Sequence, residues 1–548
     1  MKKIVLILAV VSLMVLAFGG CDTGKKGSLK PNLPPDVFWA SIPPDSCTFG
    51  VAPIVAWYGT DRDGEVWYYH YVDIPLTGLP RSEYDGYRSN PQTIPDTLWT
   101  TVEATSDTIL LSLEPTDTIT EHSFFVKAED NLGAESDIIF RTFYRTNQLP
   151  TVVLDNFYED SETLFCLSAT TPYWDGIVLT WHGEDPDNSI FFEYYWYIVD
   201  RDDPLDTVKR CDGWTRDENV VLTDVPTGSY FFYIKCRDDA FAESISPDST
   251  YLNIVKPYYD ITDSTVDPTT IPFKVLIVDE SSRERAIFDI PSEETVNEFY
   301  TGIFDELVSR GVVDEYGYFE CPDPEHTDLS KSLLAQYPCI YWHNADASTK
   351  RIGTYMMAQI EKYLNSGGSL LLEGRKPIID LFGSSTGATF AMNYLGVDQF
   401  HRAIETWQNS RDAYAFASAV PSNEDYSELT VNVAMVDSVF PNDIVAGIPE
   451  TDFIGSYEGT SGGVEYTEIL YRIAVSPEVA SDTAYADEYQ YYNNRPIAVR
   501  HSSTNFRAAL FNFSMFYMDN STGAVTDAIA TTLSWIEEGM RRERTGED

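Results

Sequence analysis

The stretch WYGTDRDGE at residues 57–65 recurs in altered form as WHGEDPDN at residues 181–188. Each copy is followed by an aromatic run, at residues 66–73 and 191–200, in which apolar and polar residues alternate as they do in half-buried strands. Asp and Gly in the repeated stretch favour tight turns. The repeat therefore predicts two homologous units, residues 37–147 and 148–258, each close to the size of a β-sandwich.

The two units also end alike, with FVKAEDN at residues 125–131 and YIKCRDD at residues 233–239. The repeated turn and this closing strand resemble those of the immunoglobulin-like or fibronectin type III-like modules of bacterial surface proteins. The resemblance implies two all-β immunoglobulin-like sandwiches but no particular function, because such sandwiches serve many. We expect residues 75–100 of the first unit to form an extended loop.

From residue 273 onward the apolar pattern changes. FKVLIVD at residues 273–279 reads as a buried parallel strand, and Ser292 is placed to cap an amphipathic helix. A second helix then leads through Gly367-Gly368 into the strand at residues 369–374. Alternating strands and helices predict an α/β three-layer domain with a mainly parallel sheet. We place it at residues 273–541, after a linker at 259–272 and before a tail at 542–548.

These elements, with the strand RAALFNF at residues 507–513, resemble the class I glutamine amidotransferase-like (flavodoxin-like) domains. Active members place a cysteine in a strand-to-helix turn and pair it with a His-x-Glu near the domain end. Here the strand runs into Glu373-Gly374-Arg375-Lys376, and the domain end offers FSMFY at residues 513–517. The resemblance therefore implies no glutaminase activity, and we assign no catalytic residue.

Other nucleophile patterns are weak. The G-x-S-x-G pattern at residues 383–387 follows PIIDLF, which reads as helix or loop, whereas a nucleophile elbow follows a buried strand. Cys339 lies inside an apolar strand, where a structural thiol is the expected state.

Polar residues gather where the predicted parallel strands end, which is where open α/β sheets bind ligands. We predict a ligand pocket there, with the alternative that strand-end loops are simply polar. The residues are Asp279, His343, Asp346, Glu373 and Arg375.

The two repeated turns suggest calcium, which prefers several oxygen ligands including carboxylates. The alternative is that these aspartates form turns by bonding their own backbone. The predicted ligands are Asp61, Asp63 and Asp130 in the first unit and Asp185, Asp187 and Asp238 in the second. The aromatic stretches 67–69 and 194–197 suggest a carbohydrate platform, with core packing as the alternative.

The N-terminus carries Lys2 and Lys3, an apolar run at residues 4–18 and a Gly-Gly-Cys sequence ending at Cys21. This order predicts a signal peptide at residues 1–20, and residues 16–21 resemble a lipobox. The resemblance implies that Cys21 is lipidated and tethers the chain to a membrane, with residues 21–36 as a polar linker.

The composition is strongly acidic, with a net charge of −49. Such a charge argues against nucleic acid as a partner, because phosphates would be repelled. Six cysteines besides Cys21 allow disulfides in an exported protein, in fifteen possible pairings. The sequence does not choose among these pairings, and the local candidates are Cys211 with Cys236 and Cys321 with Cys339.

We therefore predict a non-catalytic lipoprotein of the bacterial cell envelope, on its periplasmic or cell-surface face, with a binding or structural role towards a protein or glycan. One alternative is an extracellular hydrolase with its site at the strand ends. A second is a component of a secretion or surface assembly.

Overall fold

The computed structural model describes seventeen stretches of the chain. These are residues 30–41, 45–49, 52–112, 119–146, 148–186, 191–239, 241–260, 262–281, 292–321, 329–345, 354–374, 377–401, 416–439, 453–456, 459–461, 465–475 and 486–545. The chain divides into two compact units, one of Met1–Thr151 with Gly183–Glu193 and Cys236–Ile245, and one of the remainder.

The first repeated unit is a β-sandwich of a three-stranded and a five-stranded sheet. Its strands are β1 (Asp36–Ser41), β2 (Cys47–Phe49), β3 (Ile54–Thr60), β4 (Val66–Pro75), β5 (Thr100–Val102), β6 (Ser106–Thr108), β7 (Ile119–Asp130) and β8 (Ile139–Thr146). The sheet orders are β1-β3-β6 and β2-β8-β7-β4-β5. Trp57 of the repeated turn is fully buried and packs on Phe124 of β7, with ring centroids 6.0 Å apart.

The middle of this sandwich is more ordered than an extended loop. Helix α1 (Arg81–Ser89) covers the outer side of the five-stranded sheet, where Tyr84 is fully buried and its hydroxyl hydrogen-bonds the Ser123 hydroxyl at 2.9 Å. The expectation of a loop was wrong because α1 has only nine residues and contains Ser82, Asp85 and Gly86, which have low helix propensity.

The second repeated unit is built in the same way. Its strands are β9 (Thr151–Leu154), β10 (Thr163–Phe165), β11 (Ile177–Glu184), β12 (Glu193–Asp200), β13 (Thr207–Arg210), β14 (Asn219–Leu222), β15 (Gly228–Arg237) and β16 (Asp248–Val255). They form sheets in the orders β14-β11-β9 and β10-β16-β15-β12-β13. Trp181 packs on Phe232 at 6.0 Å, as Trp57 does on Phe124, so the predicted pair of tandem all-β sandwiches is confirmed.

The C-terminal part contains twelve strands and eight helices among its described residues. The strands are β17 (Lys274–Asp279), β18 (Glu315–Glu320), β19 (Cys339–Asn344), β20 (Ser369–Gly374), β21 (Val397–His401), β22 (Phe416–Pro421), β23 (Leu429–Thr430), β24 (Phe453–Ser456), β25 (Gly459–Ser461), β26 (Glu465–Val475), β27 (Pro496–Ser502) and β28 (Arg507–Phe511). The helices are α2 (Glu293–Ser309), α3 (Lys331–Leu334), α4 (Thr354–Asn365), α5 (Pro377–Phe382), α6 (Ser385–Leu395), α7 (Val433–Val439), α8 (Ala486–Tyr492) and α9 (Ala524–Thr545).

Ten of these strands form one sheet, which is mixed rather than mainly parallel. Strands β18, β17, β19, β20 and β28 are parallel neighbours, but β27, β26, β22, β23 and β25 extend the sheet with antiparallel pairings. The prediction of a mainly parallel sheet is wrong because the strands β22, β23, β25, β26 and β27, which follow residue 396, join the sheet by antiparallel pairing.

Side chains of β17 alternate between two buried clusters. Val275 and Ile277 pack with α2 and α9, whereas Leu276 and Val278 pack with α4 and α6. Ser292 caps α2 as predicted, its hydroxyl accepting a hydrogen bond from the Thr295 amide. The sheet is therefore covered by helices on both faces.

The six described cysteines form no disulfide with one another, so the candidate local pairs are wrong. Cys166, Cys236, Cys321 and Cys339 are buried, and burial raises the pKa of the thiols of Cys166, Cys236 and Cys339. In the described part of the chain no helix is both long and apolar enough to cross a membrane.

Candidate functional site

Three of the predicted pocket residues form a row across the sheet. Asp279 is the register partner of His343, and His343 is the partner of Glu373 on the next strand. All three lie at the carboxyl ends of parallel strands and expose at most 2% of their surface. We call Asp279, His343 and Glu373 the strand-end row. The structure brings these three residues together as the sequence predicted, but it buries them instead of placing them in an open pocket.

Glu373 is held by donors from three elements. Its Oε1 accepts hydrogen bonds from the hydroxyls of Tyr300 and Tyr341, the latter at 3.3 Å, and its Oε2 accepts one from the Met515 amide at 3.1 Å. Burial raises the pKa of Glu373 to about 8, although these hydrogen bonds act in the opposite direction. At neutral pH this carboxyl therefore keeps its proton for most of the time.

Asp279 is the charged member of the row. Burial acts to raise its pKa, but the adjacent His343 and hydrogen bonds from Ser281 and Tyr318 outweigh burial and leave the pKa below its usual value. The Ser281 amide donates to Oδ1 at 2.8 Å and the Tyr318 hydroxyl to Oδ2 at 2.8 Å, while Nδ1 of His343 lies 3.6 Å from Oδ1. The carboxylate is thus stabilised by groups of its own domain.

The imidazole of His343 is enclosed by aromatic rings. It stacks on the Tyr300 ring with centroids 3.8 Å apart and planes 23° apart, and Tyr341 and Tyr318 lie within 6.4 Å. Tyr300 lies on the helix that Ser292 was predicted to cap, but the sequence did not connect this residue with the strand ends. Nothing in the local pattern could have done so, because the contact depends on how α2 crosses the sheet.

A second buried polar contact involves Glu280, the residue directly after the end of β17. The indole nitrogen of Trp342 donates a hydrogen bond to Oε2 of Glu280 at 2.7 Å, and Glu280 is 2% exposed. Sequence reasoning missed Glu280, although an acid directly after a buried strand was a usable signal. Asp346 and Arg375, the other predicted pocket residues, lie outside the described residues.

The weak nucleophile candidates have structural roles. Cys339 begins the buried strand β19. The G-x-S-x-G pattern joins two helices, α5 and α6, and the Ser384 hydroxyl caps α6 by accepting a hydrogen bond from the Gly387 amide at 3.0 Å. Gly396 ends α6 in the left-handed conformation, with φ at 66°. Neither segment forms a strand-to-helix elbow.

Two of the predicted calcium ligands of the first unit, Asp130 and Asp61, have different surroundings. Asp130 Oδ1 accepts hydrogen bonds from the amides of Leu132 and Ala134 at 2.8 and 2.9 Å, as turn formation requires. In contrast, Asp61 Oδ2 is buried and has no hydrogen-bond partner among the described residues. A Cβ on Gly64 would lie 2.4 Å from that oxygen and 2.7 Å from Oδ1 of Asn131, so two oxygens converge there.

The second turn gives less evidence about metal binding. Asp238 Oδ1 accepts a hydrogen bond from the Ala242 amide at 2.9 Å, and Asp187 lies outside the described residues. Within the described stretches, the group of three or more His, Cys, Asp or Glu side chains whose ligand atoms all lie within 4.8 Å of one another is His70, Glu129 and Glu135. None of the six predicted aspartates belongs to that group.

The aromatic stretches serve mainly as packing surfaces. Tyr69 and Tyr194 are buried in the sandwich cores, and Tyr197 stacks on Tyr233 of the neighbouring strand at 5.3 Å. Trp67 is an exception, because it is 54% exposed. The core-packing alternative thus explains most of these rings.

No protein-family model and no curated protein matches this sequence. Among solved structures, the fibronectin(III)-like modules of CbhA from Clostridium thermocellum match 40% of this chain and 94% of their own, at 13% identity and a TM-score of 0.16. Drosophila N-cadherin EC1-3 matches 41% of this chain and 68% of its own, at 13% identity and a TM-score of 0.13. Dimeric latent PorU from Porphyromonas gingivalis matches 41% of this chain and 21% of its own, at 10% identity and a TM-score of 0.14.

At these TM-scores the matches carry no argument about function. The two sandwiches are defined by their own sheets and by the equivalent Trp57 and Trp181 contacts described above.

Proposed function

We propose that this chain is a lipoprotein of the bacterial cell envelope, anchored through Cys21, in which two β-sandwiches carry a C-terminal domain that binds a partner and performs no catalysis. The proposal treats the C-terminal domain as a relative of the class I glutamine amidotransferase-like domains that lacks the cysteine and the His-x-Glu of active members. Its partner is a protein or a glycan, because the charge of −49 opposes nucleic acid.

The strand-end row carries the non-catalytic part of this proposal. A general base must be ionised and must reach a substrate proton, and a nucleophile must reach the reacting carbon. Glu373 and Asp279 instead expose at most 2% of their surface, and their oxygens accept hydrogen bonds from groups of the domain itself. Buried groups whose hydrogen bonds are made within the domain stabilise the fold rather than react.

The rival proposal is a hydrolase that uses the same residues, since strand ends are the usual place for a ligand in such sheets. The test is turnover of amide, ester and glycoside substrates by the mature chain and by His343→Ala and Glu373→Gln. His182→Ala, which changes a histidine with a side chain 45% exposed in the second sandwich, is the control. No turnover by any form supports the proposal. Turnover that both row variants abolish at unchanged melting temperature would refute it.

A role in a secretion or surface assembly is a further alternative. An assembly role can be told apart from ligand binding by purification, because the chain would then co-purify with other envelope proteins after mild detergent extraction.

We also propose that the first repeated turn binds calcium. The buried Oδ2 of Asp61 has no hydrogen-bond partner among the described residues, and Oδ1 of Asn131 points to the same space. Carboxylate and amide oxygens are ligands that calcium prefers, and Asp63 in the same turn offers a further carboxylate.

A further inference from the structure

A cleft lies where the second sandwich meets the C-terminal domain, within a single compact unit of the chain. It consists of two cavities, of about 470 and 310 Å³, which share Lys331 and Lys362 in their walls and are therefore neighbours. The larger has the size of a small-molecule site, and such sites often form where domains meet. Two adjoining cavities offer separate places for neighbouring units of a chain-like ligand.

Aromatic rings line the sandwich side of the larger cavity. Tyr158, Tyr173 and Trp174 are half-buried there. The Tyr158 hydroxyl donates a hydrogen bond to the Val178 carbonyl at 3.3 Å, and the Tyr173 ring meets Phe506 edge-on at 5.8 Å. The Trp174 indole has no ring partner and no side-chain hydrogen bond within the part of the chain that the structure describes. Two rings are thus fixed in place, and a third is left to stack on a ligand.

The opposite wall carries two lysines, Lys331 and Lys362, in a very acidic protein. Lys331 and Lys362 face one acid, Asp175, in the larger cavity and one acid, Glu162, in the smaller. The Lys362 side chain is 58% exposed and lies 4.0 Å from Glu162, and the Lys331 ammonium donates a hydrogen bond to the Thr163 carbonyl. The two ammonium groups offset the two carboxylates of the lining, so an anionic ligand meets less repulsion here than the net charge of −49 of the chain would impose.

We propose that this cleft binds an acidic glycan, with sugar rings stacked on Trp174 and carboxylates placed near Lys331 and Lys362. Flat, partly exposed rings fit the apolar faces of pyranose sugars, whereas an acidic peptide offers no such faces. Asn365 lines the same cavity, is partly exposed, and can donate a hydrogen bond from its side-chain amide to a sugar hydroxyl. The inference rests on the proposed binding role and gives it a site and a ligand class.

The experiment is calorimetric titration of the full mature chain, in detergent, with tetragalacturonate, with neutral cellotetraose and with polyglutamate. The variants are Trp174→Ala and Lys362→Gln, with Trp67→Ala as the control for loss of an exposed indole outside the cleft and Lys30→Gln as the control for loss of an exposed charge. We expect tetragalacturonate to bind and cellotetraose to bind at least tenfold more weakly. Trp174→Ala should weaken binding by about tenfold, the equivalent of losing one good contact. Lys362→Gln should weaken binding of the acidic sugar and lower its salt dependence, and both controls should bind as the wild type does.

Three results would overturn the inference: no binding of tetragalacturonate, equal binding of the neutral sugar, or tighter binding of polyglutamate. Unchanged affinity in Trp174→Ala, with native melting behaviour, would also overturn it. The oligosaccharide is recovered after titration and its length is measured. Binding with cleavage would contradict the non-catalytic function while leaving the cleft assignment in place, so the two failures can be told apart.

Discussion

The C-terminal domain should become less stable as the pH rises, and replacing Glu373 by glutamine should make its stability less dependent on pH. The unfolded carboxyl ionises near its ordinary pKa of 4.5, whereas burial keeps it protonated in the folded domain up to about pH 8. Its contribution to stability is therefore complete below pH 4.5 and is lost as the pH rises through this window, because only the unfolded state releases the proton. The sign is opposite to that of a salt-bridged carboxylate.

The size of the effect follows from the shift in pKa. Each pH unit inside the window changes the free energy of unfolding by about 1.4 kcal/mol for one proton. Between pH 5 and pH 7, both inside the window, the contribution of Glu373 should fall by about 3 kcal/mol. Glutamine does not titrate, so the Glu373→Gln domain should lose less stability than the wild type over the same range.

The assay must report on the C-terminal sheet alone, because a multi-domain chain does not unfold in two states. Samples are equilibrated in urea at pH 5 or pH 7 and pulsed briefly with deuterium at one common pH, and the peptide that contains β20 is weighed. Glu320→Gln is the matched control, because Glu320 is the exposed register partner of Asp279 on β18. Equal pH dependence of β20 in the wild type and in Glu373→Gln would refute the reasoning.

Three further predictions concern other parts of the chain. Cys21→Ser should abolish incorporation of labelled palmitate, because the thiol that carries the acyl chains is lost; labelling of this variant at the wild-type level would contradict lipidation at Cys21. Calcium at about a hundred times its dissociation constant should stabilise the first sandwich by about 2.7 kcal/mol, and Asp61→Asn should reduce that gain; a melting curve unchanged by calcium or chelator would exclude the site. Ser384→Ala should destabilise the C-terminal domain by about 1 kcal/mol in urea unfolding through loss of the α6 cap, whereas Ser385→Ala should cost less; equal effects would contradict the capping role.

The sandwiches were predictable because their evidence is local. Turn residues and the two-residue period appear in the sequence itself, and the repeat places Trp57 and Trp181 at equivalent core positions. The strand-end row was predictable for a related reason: parallel strands end at a common edge, so Asp279, His343 and Glu373 had to share it. Pattern and periodicity fix which residues end a strand.

The rest depended on contacts between distant segments. Burial of the row under Tyr300, and the proton on Glu373 that results, depend on where α2 crosses the sheet. The antiparallel half of the sheet was missed because β26 and β27 are not consecutive in a tight hairpin, and the residue pattern of neither strand reveals which strand it pairs with. The cleft with Trp174 and Lys362 likewise joins residues of two domains.

Infrared difference spectroscopy of the wild type against Glu373→Gln at pH 7 tests most directly whether the strand-end row is an internal network and not a reaction centre. A protonated carboxyl and a carboxylate absorb at separate frequencies, so the difference spectrum reports the state of this one group. We expect the band of a protonated carboxyl in the wild type, absent from the variant and slow to shift when the solvent is exchanged for deuterium oxide. A carboxylate band that disappears in the variant, or a shift complete within the mixing time, would mean that Glu373 is ionised or open to solvent and that the strand-end row is not a closed internal network.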